Sequence, residues 1–137
     1  MHEIDYLTVA DVMAIYEWAM RESDQEPAPL VREDALQRAV HHPRNLAWYR
    51  GAGLAEQGVD LAMEIALAHA WVDGNKRVSV RAFEVFLGLN GVDIPDADYR
   101  LFADEFVAVV GAKPDERAAL VGGLVDMVSR WVAKSGG

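Results

Sequence analysis

The segment of residues 60–71, DLAMEIALAHAW, constrains the fold more than any other part of the chain. Apolar side chains cover nearly every face of a helix over this stretch, and such a helix is stable only when other elements enclose it. We therefore predict a central, buried helix. A chain of 137 residues has the size of one ordinary domain and can build a single core around that helix.

Further helices are predicted on both sides of the central one. The first begins after Thr8, which with Asp11 forms the pattern of a helix N-cap. The other predicted helices cover residues 33–40, 76–89, 96–110 and 114–132. The alternation of apolar and polar residues that is typical of strands is missing. We expect one all-α domain over residues 1–137, a helical bundle without repeats or an internal linker.

Charge and composition exclude several classes of protein. The chain has 13 Lys and Arg against 22 Asp and Glu, a formal net charge of −9, which argues against direct DNA binding. It has no cysteine, so disulfides, cysteine metal sites and cysteine nucleophiles are excluded. The opening residues do not resemble a signal peptide, and no apolar run reaches the roughly 20 residues of a membrane span. We expect a cytoplasmic protein with no membrane contact.

A polar interruption, HAWVDGNKR at residues 69–77, separates the central helix from the next one. The N-terminus of a helix exposes unpaired backbone N–H groups and binds anions readily. Gly74 lets the backbone approach a ligand, and Asn75 can donate a hydrogen bond from its amide. Lys76 and Arg77 supply positive charge for phosphate oxygens. The pattern predicts a nucleotide phosphate site.

Two further residues of this stretch predict a group-transfer reaction. Asp73 can hold Mg²⁺, which binds one or two carboxylates together with substrate phosphates. His69 can take the proton from an attacking hydroxyl, because an imidazole titrates near neutrality. The reaction indicated is transfer of a phosphoryl or nucleotidyl group to the hydroxyl of a protein or small molecule.

A purely structural interpretation of the same residues stays open. Asp-Gly-Asn is common turn chemistry, and Asp73 can simply cap the next helix. Elsewhere, His41 and His42 are expected at the surface end of a helix rather than at a metal, because no third ligand is apparent nearby. Trp18 and Trp131 are expected in the core or lining a groove.

The string His69-x-Trp71-x-Asp73-Gly74-Asn75-Lys76-Arg77, followed by FLGLNG at residues 86–91, resembles the Fic/Doc superfamily. It is most similar to the death-on-curing (Doc) branch, the toxins of toxin–antitoxin pairs, with the pattern H-x-F-x-D-(G/A)-N-K-R and then F-L-x-x-N-G. Residues 6–8, 12–16 and 31–39 resemble that branch more loosely. The phenylalanine of the pattern is replaced by Trp71.

The resemblance implies a role for each residue of the string. His69 is the implied catalytic base, and Asp73 is the implied Mg²⁺ ligand. Gly74, Asn75 and Lys76 are implied to form the anion nest, the turn that binds an anion, and Arg77 to bind the nucleotide phosphates. Members with glycine in place of Lys76 typically transfer AMP, whereas those with lysine resemble kinase-like Doc toxins. The second arginine of AMP-transferring members falls on Val80. The implied reaction uses ATP and Mg²⁺ to phosphorylate a threonine or serine of elongation factor Tu or a similar translation factor.

The resemblance also implies two kinds of partner. In this fold a flap aligns the target polypeptide. The expected flap is the segment of residues 45–53, which we predict to be a loop or a short hairpin. Trp48 and Tyr49 on it are either docking aromatics or side chains that pack inward. The inhibitory (S/T)-x-x-x-E-(G/N) helix of some relatives is absent, so a separate antitoxin that lays an amphipathic segment in an apolar groove is expected. The alternatives are an AMP transferase and a binding module that no longer turns over.

Overall fold

A computed structural model describes residues 3–136, and six α-helices make up its regular structure. They are α1 (Val9–Glu22), α2 (Glu33–Arg50), α3 (Leu54–Ala68), α4 (Asn75–Leu89), α5 (Asp96–Val110) and α6 (Pro114–Lys134). The described residues contain no strand, only an isolated β-bridge between Leu30 and Trp71. The predicted all-α fold is confirmed. None of the helices in the described range is long and apolar enough to cross a membrane.

The central position of α3 follows from its apolar circumference. Val59, Ala62 and Ile65 are fully buried, and α3 packs against α2, α4 and α6. The close approach of α4 depends on a glycine, because a Cβ at Gly58 would lie 3.2 Å from the Leu87 side chain. The prediction of a buried central helix is therefore confirmed, although the helix begins before residue 60 and ends at Ala68.

The start of α1 is fixed by a reciprocal cap. The Thr8 side chain accepts a hydrogen bond from the Asp11 backbone N–H at 3.0 Å, and the Asp11 carboxylate accepts one from the Thr8 backbone N–H at 2.8 Å. These bonds satisfy donors that a helix end otherwise leaves unpaired. The N-cap predicted from the sequence is confirmed.

The second helix contradicts two predictions. It does not end at residue 40 but continues through His41, His42 and Pro43 to Arg50. The expected loop or hairpin at residues 45–53 is therefore wrong for residues 45–50, and only residues 51–53 form a loop. Proline removes one backbone hydrogen bond, but burial of a continuous apolar face outweighs that loss. The face consists of Leu36, Ala39, Val40, Pro43 and Leu46. The helix stops only at Gly51, which has a φ of +69°.

The extension of α2 brings His42 against α3. Its Nδ1 lies 2.7 Å from Asp60 Oδ2, so the expectation of a surface helix end for His42 is wrong. Burial raises the pKa of Asp60 to about 6, although His42 acts in the opposite direction. Burial lowers the pKa of His42, but the carboxylates of Asp60 and Glu64 outweigh that effect and hold the pKa above its usual value.

An aromatic cluster joins α4, α5 and α6 and completes the core. Phe83 stacks on Phe102 with a centroid distance of 4.1 Å, and Trp131 meets both rings edge-on. Trp131 is buried as predicted. Trp18 is not in the core, since 48% of it is exposed, and the guanidinium of Arg81 lies over its ring.

Candidate active site

The connection between α3 and α4 carries the polar stretch singled out in the sequence. His69 ends α3 in a left-handed conformation, with φ 48° and ψ 46°, and the chain reverses there. Gly74, with φ +87°, is the N-cap residue of α4, which begins at Asn75. The two left-handed residues thus mark the ends of a short loop between two buried helices.

A side-chain clamp from Asn75 holds this loop. Its Oδ1 accepts a hydrogen bond from the Trp71 N–H at 3.1 Å, and its Nδ2 donates to the Trp71 carbonyl oxygen at 2.8 Å. The sequence predicts Asn75 as an amide donor toward an anion. In the structure one of its two amide hydrogens is already used inside the loop. The main structural effect of Asn75 is therefore to close the loop.

Tyr16 fixes the loop from α1, a role that the sequence analysis missed. Its buried hydroxyl donates to the Asp73 carbonyl oxygen at 2.9 Å and accepts from the Ala28 N–H at 2.8 Å. Its ring stacks on Trp71 with a centroid distance of 4.2 Å and an interplanar angle of 8°. A tyrosine on an apolar helix face was the available signal, because a buried phenol needs a hydrogen-bond partner.

A side chain at Gly74 would crowd α1 and strain the backbone. A Cβ there would lie 2.6 Å from Met20 Sδ and 3.0 Å from Tyr16 Cε1. Its positive φ is also strained for any residue with a side chain. The glycine therefore lets the start of α4 rest directly on α1.

All six residues predicted from the polar stretch line one groove of about 330 Å³. They are His69, Asp73, Gly74, Asn75, Lys76 and Arg77, and Ala66, Val72 and Val110 complete the wall. The predicted catalytic base, the predicted Mg²⁺ ligand and the predicted phosphate-binding groups therefore already lie in one groove.

The charged groups of the groove are available to a ligand. Within residues 3–136, Asp73, Lys76 and Arg77 make no ion pair. No side chain of the described residues caps the N-terminus of α4, and the first residues of this helix line the groove, so its dipole and backbone N–H groups can serve an anion there. Arg77 leans on Met20, with Nη1 3.7 Å from the sulfur. The arrangement suits a polyanion, and the exposed Asp73 carboxylate beside it is a donor of the kind that Mg²⁺ prefers.

The extended segment beside this loop is not the one predicted. The N–H groups of Val31 and Arg32 donate to the Ala70 carbonyl oxygen at 2.7 and 3.0 Å, and the Val72 N–H donates to the Pro29 carbonyl oxygen at 3.1 Å. Residues 29–32 therefore lie along the loop. Pro27 and Pro29 were the signal in the sequence, because proline and the residue before it favour an extended chain.

Trp48 and Tyr49 lie elsewhere, in the last turns of α2. They are 90% and 65% exposed, so the alternative that they pack inward is wrong. Neither lines the groove of residues 69–77, and Tyr49 lines a separate groove with His42 and Arg117. Their role in docking stays a prediction, although the two residues lie on a helix and not on a flap.

Position 80 and its neighbour lie outside the groove. Val80 is buried in the core. Arg81 forms ion pairs with Glu22 and Glu84, and its guanidinium also lies over the rings of Trp18 and Tyr99. Arg77 is therefore the arginine that α4 contributes to the groove.

The comparisons with known proteins agree with this geometry. No curated protein is significantly similar to the chain. A family model described as the Fic/DOC family matches residues 6–87, which include α1 to α3, the loop and most of α4. Members of that family are typically transferases. Since the match covers more than half of the chain and contains all six residues of the groove predicted from the sequence, the chain belongs to the Fic/DOC family.

Proposed function

We propose that this protein transfers the terminal phosphoryl group of Mg²⁺-ATP to a serine or threonine hydroxyl of a translation factor such as elongation factor Tu. The observation that carries the proposal is the groove itself. It combines an imidazole with a carboxylate, two cations and a helix N-terminus that have no ion pair or side-chain cap among residues 3–136. Transfer to such a target would stop translation, as expected of a toxin in the cytoplasm.

The phosphates of ATP would lie at the N-terminus of α4. Backbone N–H groups there and the side chains of Lys76 and Arg77 would hold the phosphate oxygens. Asp73 would hold Mg²⁺, which when bound neutralises part of the phosphate charge. The backbone of Asp73 is already fixed by the hydrogen bond from Tyr16, so its carboxylate stands on a rigid support.

His69 would act as the general base. The target hydroxyl oxygen bonds to the terminal phosphorus, the bond from that phosphorus to the bridging oxygen breaks, and ADP leaves. The hydroxyl proton passes to the His69 imidazole. The left-handed turn at the end of α3 presents this side chain in the exposed part of the groove, where a protein hydroxyl can reach it.

Two residues favour phosphoryl transfer over AMP transfer. Lys76 is exposed and has no ion pair within the described residues, so its ammonium is available where AMP-transferring relatives have glycine. Position 80, where those relatives place a second arginine, holds the buried Val80. AMP transfer remains the second candidate because both reactions use the same base and the same anion site.

Target and antitoxin would approach from the side of residues 29–32. This segment is extended and bonded to the loop, and Val31 on it is 58% exposed. A target strand that adds to it would place its hydroxyl near His69. We propose a separate antitoxin protein as the regulator, because the sequence lacks the inhibitory motif found in some relatives.

The test is the intact mass of purified elongation factor Tu after incubation with this protein, Mg²⁺ and ATP. We expect the mass of one phosphoryl group to be added. ATP labelled at the γ-phosphate should label the target, and ATP labelled at the α-phosphate should not. An adenylyl mass with α-label would establish AMP transfer instead.

His69→Ala is the loss-of-function variant, and His41→Ala is its matched control because His41 is an exposed histidine on α2 outside the groove. Transfer that survives in His69→Ala would remove His69 from the mechanism. If the wild-type protein modifies neither elongation factor Tu nor other translation factors but co-purifies with a partner, the function is that of a binding module.

A further inference from the structure

A second cluster of potential ligand atoms lies outside the groove of residues 69–77, between α2 and α3. Asp60 and Glu64 are one turn apart on α3, so their carboxylates project from the same face. His42 on α2 points between them, with Nδ1 2.7 Å from Asp60 Oδ2 and 3.9 Å from Glu64 Oε1. One ligand atom from each side chain lies within 4.8 Å of the others.

The two carboxylates of the cluster form recorded ion pairs only with His42 among the described residues, although Arg117 lines the same groove. Two carboxylates face one imidazole, and no lysine or arginine of the described residues forms an ion pair with either carboxylate. The nearby Arg50 pairs with Glu56 instead. The Asp60 side chain is only 14% exposed, and charge that is partly withdrawn from water favours a cation beside it.

We propose that His42, Asp60 and Glu64 bind a divalent transition-metal ion of the zinc type. Zinc lies about 2.0–2.2 Å from imidazole nitrogen and carboxylate oxygen in a tetrahedral site. That geometry separates ligand atoms by roughly 3.3–3.6 Å. The separations of 2.7 and 3.9 Å from the His42 nitrogen lie on either side of this value, and all three ligand atoms lie within 4.8 Å of one another, so side-chain rotations would be needed to form the site.

The class of metal follows from the ligand set. Imidazole suits zinc, copper, iron and nickel, whereas magnesium and calcium prefer all-oxygen sites. The fourth position opens toward a groove of about 490 Å³ lined by all three side chains and by Tyr49 and Arg117, so water can complete the coordination. This site is distinct from Asp73, which lines the other groove and offers a single carboxylate.

A metal bound there would clamp α2 to α3. The two helices would then be joined by coordination bonds a few residues before His69, at the part of the core that supports the active-site loop. An ion that binds the folded chain and not the unfolded one raises the melting temperature, and it does so in proportion to the logarithm of its concentration.

The test uses the full chain, freed of any affinity tag and treated with a chelator that is then removed by dialysis. Calorimetric titration with ZnCl₂ and visible spectroscopy with CoCl₂ report binding, and thermal unfolding reports the clamp. We expect one Zn²⁺ per chain, cobalt absorption bands of a low-coordinate site with nitrogen ligation, and a raised melting temperature.

The variants assign the ligands. His42→Gln and Glu64→Gln should each weaken Zn²⁺ binding at least tenfold and abolish the rise in melting temperature. His41→Gln, on the same helix, and Asp73→Asn, in the other groove, should bind like the wild type. Zn²⁺ binding that survives in both His42→Gln and Glu64→Gln, or that is lost in Asp73→Asn, would overturn the assignment. So would a wild-type chain that binds no Zn²⁺, which would leave a simple ion pair between His42 and Asp60.

Discussion

The hydroxyl of Tyr16 donates to the carbonyl oxygen of Asp73 across 2.9 Å, although the two residues lie 57 positions apart in the chain. Because the same hydroxyl accepts from the Ala28 N–H, one buried group holds both the loop and the extended segment next to it. The position of the proposed Mg²⁺ ligand is thus set by α1, an element that contributes no residue to the groove.

Tyr16→Phe is expected to lower both stability and transfer. Loss of the hydroxyl leaves the Asp73 carbonyl and the Ala28 N–H without their partner, at a cost of about 1–3 kcal/mol in the free energy of unfolding. Urea unfolding measures this cost. The loop then loses its anchor, so kcat should fall more than KM rises.

Tyr6→Phe is the matched control, because the Tyr6 hydroxyl donates to the buried Gln57 at 2.7 Å, away from the groove. This variant should lose stability and keep kcat. Equal losses of kcat in the two variants would mean that Tyr16 acts through stability alone.

Gly74→Ala is expected to destabilise the chain and abolish nucleotide binding. A Cβ at this position meets Met20 and Tyr16, and the left-handed backbone alone costs about 1–2 kcal/mol. Thermal unfolding and ATP titration check both effects. Gly88→Ala is the control on the same helix, where a Cβ would meet nothing within 4 Å. That variant should gain up to about 1 kcal/mol from helix propensity. A Gly74→Ala chain as stable as the wild type would contradict the tight packing of α4 on α1.

Asn75→Asp is expected to open the loop and repel phosphate. The substitution places a carboxylate oxygen against the Trp71 carbonyl, where Nδ2 now donates. Loss of that bond and the added negative charge should weaken ATP binding about tenfold or more. Fluorescence titration with an ATP analogue measures the change.

Asn45→Asp makes the same chemical change at an exposed position of α2 and should bind ATP normally. If Asn75→Asp binds as tightly as Asn45→Asp, the Asn75 side chain is not needed to shape the site.

Stability is expected to fall steeply at alkaline pH because of Tyr99. Burial raises the pKa of Tyr99 to about 12; Arg81 lowers it, while Glu84 and Glu22 raise it. In the unfolded chain this phenol loses its proton near pH ~10. Between these two values the folded state holds a proton that the unfolded state has released, so the free energy of unfolding falls as pH rises.

Denaturant unfolding between pH ~9 and ~12 checks this effect. Tyr99→Phe removes the ionisable group and should flatten that part of the profile, whereas Tyr49→Phe, at an exposed tyrosine, should leave it as in the wild type. Parallel profiles for wild type and Tyr99→Phe would contradict the partial burial of Tyr99 beside Arg81.

The sequence predicted elements well where local signals are strong. The helix α5 has the bounds that were predicted, and α6 begins at Pro114, because glycine and proline mark those ends within a few residues. The six groove residues were also predictable, since one stretch of nine residues, which runs through the loop into the first turn of α4, carries them all. Local sequence signals were therefore enough to predict the bounds of α5, the start of α6 and the residues of the proposed anion site.

Predictions failed where distant residues decide the structure. The helix α2 passes through Pro43 because its apolar face is buried against α3, which no local signal reports. The pairing of His42 with Asp60 spans 18 positions, and the contact of Tyr16 with Asp73 spans 57. Both contacts depend on how the helices pack, so the residue types alone do not indicate which residues pair.

The exposure of His69 at the end of α3 has a further consequence. The proposed base would stand in open solvent and would meet water far more often than a protein hydroxyl, and water can itself accept a phosphoryl group. In the proposed reaction, protection of ATP from hydrolysis and selection of the target would then come from the molecule that docks over the groove and displaces the water.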